Sequence, residues 1–152
     1  MWVTTCDAGT LIQVDPRRNR IVRRIPLAAQ MGVTGGVVLS ATDDSLWGLF
    51  DGSPYRIVLL DPDTGAIHLQ MELASEQASG FGNLAFDQGV LWLGGRGILS
   101  AFDVKPLQLL ATYQVTGPGG AVQPAVGFGS VWAEVYQLSQ VTRLDLPAVA
   151  RG

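Results

Sequence analysis

Four tryptophans recur at nearly equal intervals along the chain. Trp2, Trp47, Trp92 and Trp132 lie 45, 45 and 40 residues apart. Each is followed, after 13, 14, 11 and 13 residues, by an aspartate that ends an apolar segment: Val14-Asp15, Leu60-Asp61, Phe102-Asp103 and Leu144-Asp145. Twelve residues beyond each of the first three aspartates comes the apolar end of a further segment, at Leu27, Leu73 and Val115. Markers held in register over this distance describe a repeated unit of 40 to 45 residues, the length of a propeller blade.

Composition decides what kind of unit it is. The 19 glycines and 8 prolines are spread along the chain, which fits short strands joined by turns better than helices. The third unit reads as four strands, Asn83 to Asp87, Val90 to Gly94, Ile98 to Asp103 and Leu107 to Val115. The fourth strand of the second unit reads as an alternating one, with Ile67, Leu69, Met71 and Leu73 on one face. Ala66, His68, Gln70 and Glu72 fall on the other. In Asp61-Pro62-Asp63-Thr64-Gly65 the aspartate caps backbone amides, proline presets φ and glycine closes the corner. Asp15-Pro16-Arg17-Arg18-Asn19 and Asp145-Leu146-Pro147 keep parts of that chemistry. Four-stranded antiparallel units repeated in this way are the blades of an all-β propeller. The expected units are 1–27 (incomplete), 36–73, 82–115 and 123–152 (incomplete), with about fifteen strands in four sheets. The tryptophans are expected to be buried between blades.

The first unit, Met1-Trp2-Val3, then Gly9-Thr10-Leu11-Ile12-Gln13-Val14-Asp15-Pro16, then Arg20 to Leu27, resembles the YVTN-type and quinoprotein-like (PQQ-like) propeller repeats. Ser45-Leu46-Trp47 through Leu73 and Val90-Leu91-Trp92 through Val115 follow the same pattern, and streptogramin lyases use similar repeats. The resemblance implies the fold and, weakly, an exported or cell-surface location; such repeats scaffold enzymes, sensors and binding modules alike. A streptogramin lyase needs paired histidines, and this chain has only His68. A quinone site needs vicinal cysteines, and Cys6 is alone.

The ends do not complete a blade. The twelve-residue rule would finish the fourth unit near position 157, and the first begins at its second strand. The sequence is therefore expected to be a segment of a larger propeller of six to eight blades, with two chains sharing one ring or a four-bladed closure as alternatives. The exposed neighbours would be the backbone edge beside Met1 to Thr5 and an apolar flank around Val131 to Leu144.

Charge and cysteine content exclude several classes. Thirteen acids against ten bases give a net charge of −3, which argues against nucleic-acid binding through overall positive charge. A single cysteine excludes an intrachain disulfide framework. The longest aliphatic run, Ile57-Val58-Leu59-Leu60, falls far short of the roughly 20 residues of a membrane helix. No signal peptide is read, because Met1-Trp2-Val3 already reads as a strand.

Candidate site residues come from the loops that share one propeller face. Asp7, Asp51, Arg96 and Tyr136 follow the second strands; Gln30, Thr34, Glu76, Gln77, Phe81 and Gln123 follow the fourth. Such a ring suits a small polar ligand or a protein partner. Asp7, Asp51 and Glu134 form the best carboxylate set for a cation, without the spacing of a calcium loop, so no metal and no cofactor is expected. Cys6 reads as a small buried residue, and His68 as exposed with no acid beside it in sequence. Arg17, Arg18, Arg20, Arg23 and Arg24 read as a solvated outer edge. No catalytic residue is assigned. The expectation is a binding or scaffold module, the alternative being part of a propeller enzyme, such as a lyase, whose catalytic residues lie outside this segment.

Overall fold

The computed structural model describes residues 1–5, 8–42, 45–75, 77–78, 83–117 and 119–145. Cys6, Asp7, Glu76, Phe81, Leu146 and Pro147 lie outside the described residues. The chain forms two compact units, Met1–Ser75 and Glu76–Gly152. In the first, β1 (Trp2–Thr4), β2 (Thr10–Asp15) and β3 (Arg20–Pro26) make one antiparallel sheet. A short helix, α1 (Leu27–Met31), leads to a second sheet of β4 (Val37–Ala41), β5 (Leu46–Phe50), β6 (Arg56–Leu60) and β7 (Ile67–Glu72). The second unit holds β8 (Leu84–Asp87), β9 (Val90–Gly94), β10 (Ile98–Val104) and β11 (Leu107–Gln114), then β12 (Val122–Gly127), β13 (Ser130–Val135) and β14 (Gln140–Asp145). Every sheet runs in sequence order, as hairpins joined by tight turns require. The fourteen strands of the described residues fall in four sheets, close to the number expected.

The outer strands depart from simple alternation, and they all do so at one place. Gln13 lies opposite Arg23 and Val14 opposite Ile21, which leaves Val22 as an extra residue. Leu59 faces Leu69 and Leu60 faces Ile67, so His68 is extra in β7. Ala101 faces Ala111 and Phe102 faces Leu109, so Leu110 is extra in β11. Each bulged residue stands seven positions after its aspartate. A bulge shifts the side-chain phase by one, which corrects the predicted single face for Ile67, Leu69 and Met71. Ile67 turns with Leu60 into the core between the first two sheets, whereas Leu69 goes to the other face with Leu59 and is 38% exposed.

Both units bury their apolar mass in one pattern. Leu11, Ile25 and Trp2, on the tryptophan face of the first sheet, pack against Leu46, Phe50, Val58, Leu60 and Ile67 on the opposite face of the second. In the other unit Trp92, Ala85, Leu99 and Ala101 pack against Val122, Val131, Ala133 and Val135. Each fully buried Leu, Val or Phe among them contributes about 1.5–3 kcal/mol. The flank from Val131 to Leu144, expected to be bare, is thus the one that the preceding sheet covers. The other face of the fourth sheet is polar. It carries Gln123, Ser130, Glu134, Arg143 and Asp145 around Trp132. β1 is an edge strand, as anticipated.

Candidate functional site

The tryptophans are not equivalent. Trp47 and Trp92 are buried, while Trp2 and Trp132 are only partly covered, so the expectation of four buried indoles holds for two. The Trp47 and Trp92 indole N–H groups have no acceptor among the described residues. Trp2 is different: its Nε1 donates to Pro62 O at 2.7 Å. Directly across the sheet from it, Gln13 Nε2 donates to Asp63 O at 3.3 Å; across from Gln13, Arg23 Nη1 donates to Thr64 O at 2.6 Å. Three donors in one lateral row therefore hold three successive carbonyls of the next sheet's turn. Gly65, with φ +73°, sits beneath this clasp, where a Cβ would lie 3.1 Å from the Trp2 ring.

That turn is built by Asp61. Its Oδ1 accepts from the Asp63 and Thr64 amides at 3.0 and 2.6 Å and from Thr64 Oγ1 at 2.8 Å. The Thr64 hydrogen bonds, more than the Asp63 amide and the neighbouring His68, hold the Asp61 carboxyl below its ordinary range. His68, exposed on β7 as read from the sequence, does meet an acid in space, with Nε2 3.3 Å from Asp61 Oδ2. Asp15 Oδ1 caps its own turn in the same way, accepting from the Arg17 and Arg18 amides at 3.0 and 3.2 Å. The five arginines of the first outer strand and turn are exposed, and among the described residues Arg23 is the one of them tied to the neighbouring sheet.

The loop-face residues sort by unit. In the first, Asp51 Oδ1 accepts from Gly36 N at 2.7 Å, and Asp51 N donates to Gly36 O at 3.3 Å, so this carboxylate staples the linker between two sheets. Gly52 lets that linker approach: a Cβ there would lie 1.8 Å from Thr34 O. Thr34 is exposed beside it. Gln30, exposed on α1, lines an open groove of about 380 Å³ with Ile25, Thr64, Gly65, Ala66 and Ile67.

In the second unit, the loop after β9 is locked to Val115, Thr116, Gly120 and Ala121 of the linker that follows β11. Gly97 O accepts from Val115 N, Thr116 N and Gln114 Nε2 at 2.9, 3.1 and 3.0 Å, and Gly97 N donates to Gly120 O at 2.6 Å. Arg96 bridges to Ala121, whose amide donates to Gln137 Oε1 at 2.8 Å. Ala121 thus ties the Arg96 loop to the turn Tyr136–Leu138. Both side chains stay outside, Arg96 exposed and Tyr136 71% exposed. Gln123 stands within β12 opposite Glu134, not in the preceding loop, and Gln77 is half-buried in a turn. Gln137 and Gly97, which anchor the site, were not among the sequence candidates. A glutamine two residues into a loop carries no mark of the backbone amide it will meet.

No family model matches the chain, and no curated protein matches it. Solved structures do. BamB from Moraxella catarrhalis superposes with a TM-score of 0.65 at 22% identity, over 95% of this chain and 42% of its own. Glutaminyl cyclase from Myxococcus xanthus gives 0.63 at 18%, over 95% and 60%. The Swd1 β-propeller domain from Myceliophthora thermophila gives 0.71 at 13%, over 96% and 50%. The chain is an all-β partial propeller. It spans about half the length of the structures it matches. At these identities the likeness is one of fold. No helix of the described residues is long and apolar enough to cross a membrane.

Proposed function

We propose that this partial propeller is a non-catalytic binding or scaffold module that presents its loop face to a small polar ligand or a protein. One observation carries the reading: Arg96 and Tyr136 hang from a single backbone anchor at Ala121, held fast while their side chains stay in solvent. An aromatic ring and a planar cation on rigid loops suit recognition, because little freedom is lost when they engage a partner. Within the second unit we assign Gln77, with Glu76 and Phe81, to the same proposed set as Arg96 and Tyr136; Thr34, Gln30 and Asp7 form a separate proposed set in the first unit. In the first unit Asp51 acts as a structural staple beside Thr34 and is not offered to a ligand, since its carboxylate is spent on Gly36.

Nuclear magnetic resonance of the labelled chain against mixed libraries of polar metabolites and short peptides tests the proposal. Binders should shift the amides of Arg96, Tyr136 and Gln137. Arg96→Ala and Tyr136→Ala should each weaken them about tenfold, the value of a typical anchor, and leave the melting point in place. Responses confined to other surfaces, or chemical conversion of a binder, would overturn the reading.

A further inference from the structure

The clasp between the first two sheets has a second, unfilled counterpart. A row of donors across a sheet occurs where a four-residue turn is to be held. The first sheet carries Trp2, Gln13 and Arg23, and the second offers the Pro62–Gly65 turn. The corresponding rows of the second and third sheets are apolar, Trp47-Leu59-Leu69 and Trp92-Ala101-Ala111. The third sheet's own turn is reduced to Lys105-Pro106 between paired Val104 and Leu107. Donors return in the fourth sheet. There Arg143 lies opposite Trp132, the position Gln13 holds against Trp2. Its guanidinium stands 5.6 Å over the indole, pinned by Nε to Ser130 Oγ at 2.9 Å and by Nη2 to Asp145 at 2.9 Å. The Trp132 N–H has no acceptor among the described residues. Among the described residues, the one other wide, aspartate-capped turn is Pro16 to Asn19, on the first sheet.

We infer that the Trp132–Arg143 face of the fourth sheet clasps the Pro16–Asn19 turn of a second copy of this chain. By the register of the first clasp, Trp132 Nε1 donates to Pro16 O and Arg143 to Arg17 O of that copy. Charge agrees once every group is counted: the fourth-sheet face sets Glu134 and Asp145 against Arg143, one net negative charge, and the turn sets Arg17 and Arg18 against Asp15, one net positive charge. The contact is heterologous, and such contacts close into rings when the rotation permits. Two copies bring together eight such sheets, the upper end of the propeller range.

Light scattering after size exclusion should give twice the chain mass of 16.2 kDa. Trp132→Phe, which keeps the ring and loses the N–H, should weaken assembly about fivefold to tenfold, the equivalent of one hydrogen bond of about 1–1.4 kcal/mol. Arg143→Glu should give monomers with an unchanged circular-dichroism spectrum. In a Cys6→Ser background, chains with Arg143→Cys mixed with chains carrying Arg17→Cys should form a disulfide-linked pair on oxidation. A wild-type species of one chain mass, a dimer indifferent to Arg143→Glu, or cross-linking only within a chain that carries both cysteines would overturn the inference. So would open-ended polymers, or capture of some other molecule by this face with the protein remaining a monomer.

Discussion

Asp61 shows how one carboxylate serves two purposes. Its Oδ1 gathers the turn amides while Oδ2 faces His68. Because the folded carboxyl titrates below its unfolded value, the turn gives its full stabilisation above the ordinary carboxylate range, near pH 4, and loses it as pH falls through the lowered value. The thermal midpoint should therefore decline on acidification below about pH 4. Asp61→Asn should flatten that acid limb, as differential scanning calorimetry would record. Among the tryptophans, Trp92→Ala should cost about 3–5 kcal/mol as an emptied core site. Trp2→Phe, which chiefly frees the Pro62 carbonyl, should cost about 0.5–1.5 kcal/mol. Denaturant titration separates the two. The aspartate's turn role was legible because Asp-Pro-x-x-Gly chemistry is local. The reach of Arg23 to Thr64 was not, since it spans 41 residues and depends on which sheet comes to lie beside it.

At the scale of the strand, β5 and β9 are buried along their whole lengths, whereas every outer strand is largely exposed. Hydrogen exchange should find β5 and β9 slowest within their units and β3 and β14 among the fastest. The boundaries of the third unit's strands were readable within a residue, because turn residues bracket each apolar run. The bulge in the outer strands was invisible, since Val22, His68 and Leu110 share no chemistry and the extra residue is defined only by what lies across the ladder. The Gly52 approach was hidden for a similar reason. Gly52→Ala should force Thr34 aside and cost about 1–3 kcal/mol, an overpacking penalty visible as a lower melting point.

For the whole molecule, the period of the tryptophans was enough to give four antiparallel sheets and a propeller, because each unit needs a neighbour to bury its apolar face. Pairing of the sheets into two compact units was not written in that period, nor was the polar face of the fourth sheet, which depends on Glu134 and Arg143 falling in phase with Trp132. Phe50 and Val135 lie in different core clusters and share no packing partner within them. Phe50→Ala and Val135→Ala should add to within about 0.5 kcal/mol, whereas Phe50→Ala and Leu11→Ala, inside one core, should not. The clasp around Pro62 to Thr64 carries one more implication, for how such a sequence drifts. It grips main-chain oxygens, which every residue type possesses. Asp63 can accordingly mutate freely, and the vocabulary of the turn can wander from Asp-Thr toward Arg-Arg with the joint intact, while the burden of constancy falls on the gripping side, at Trp2, Gln13 and Arg23.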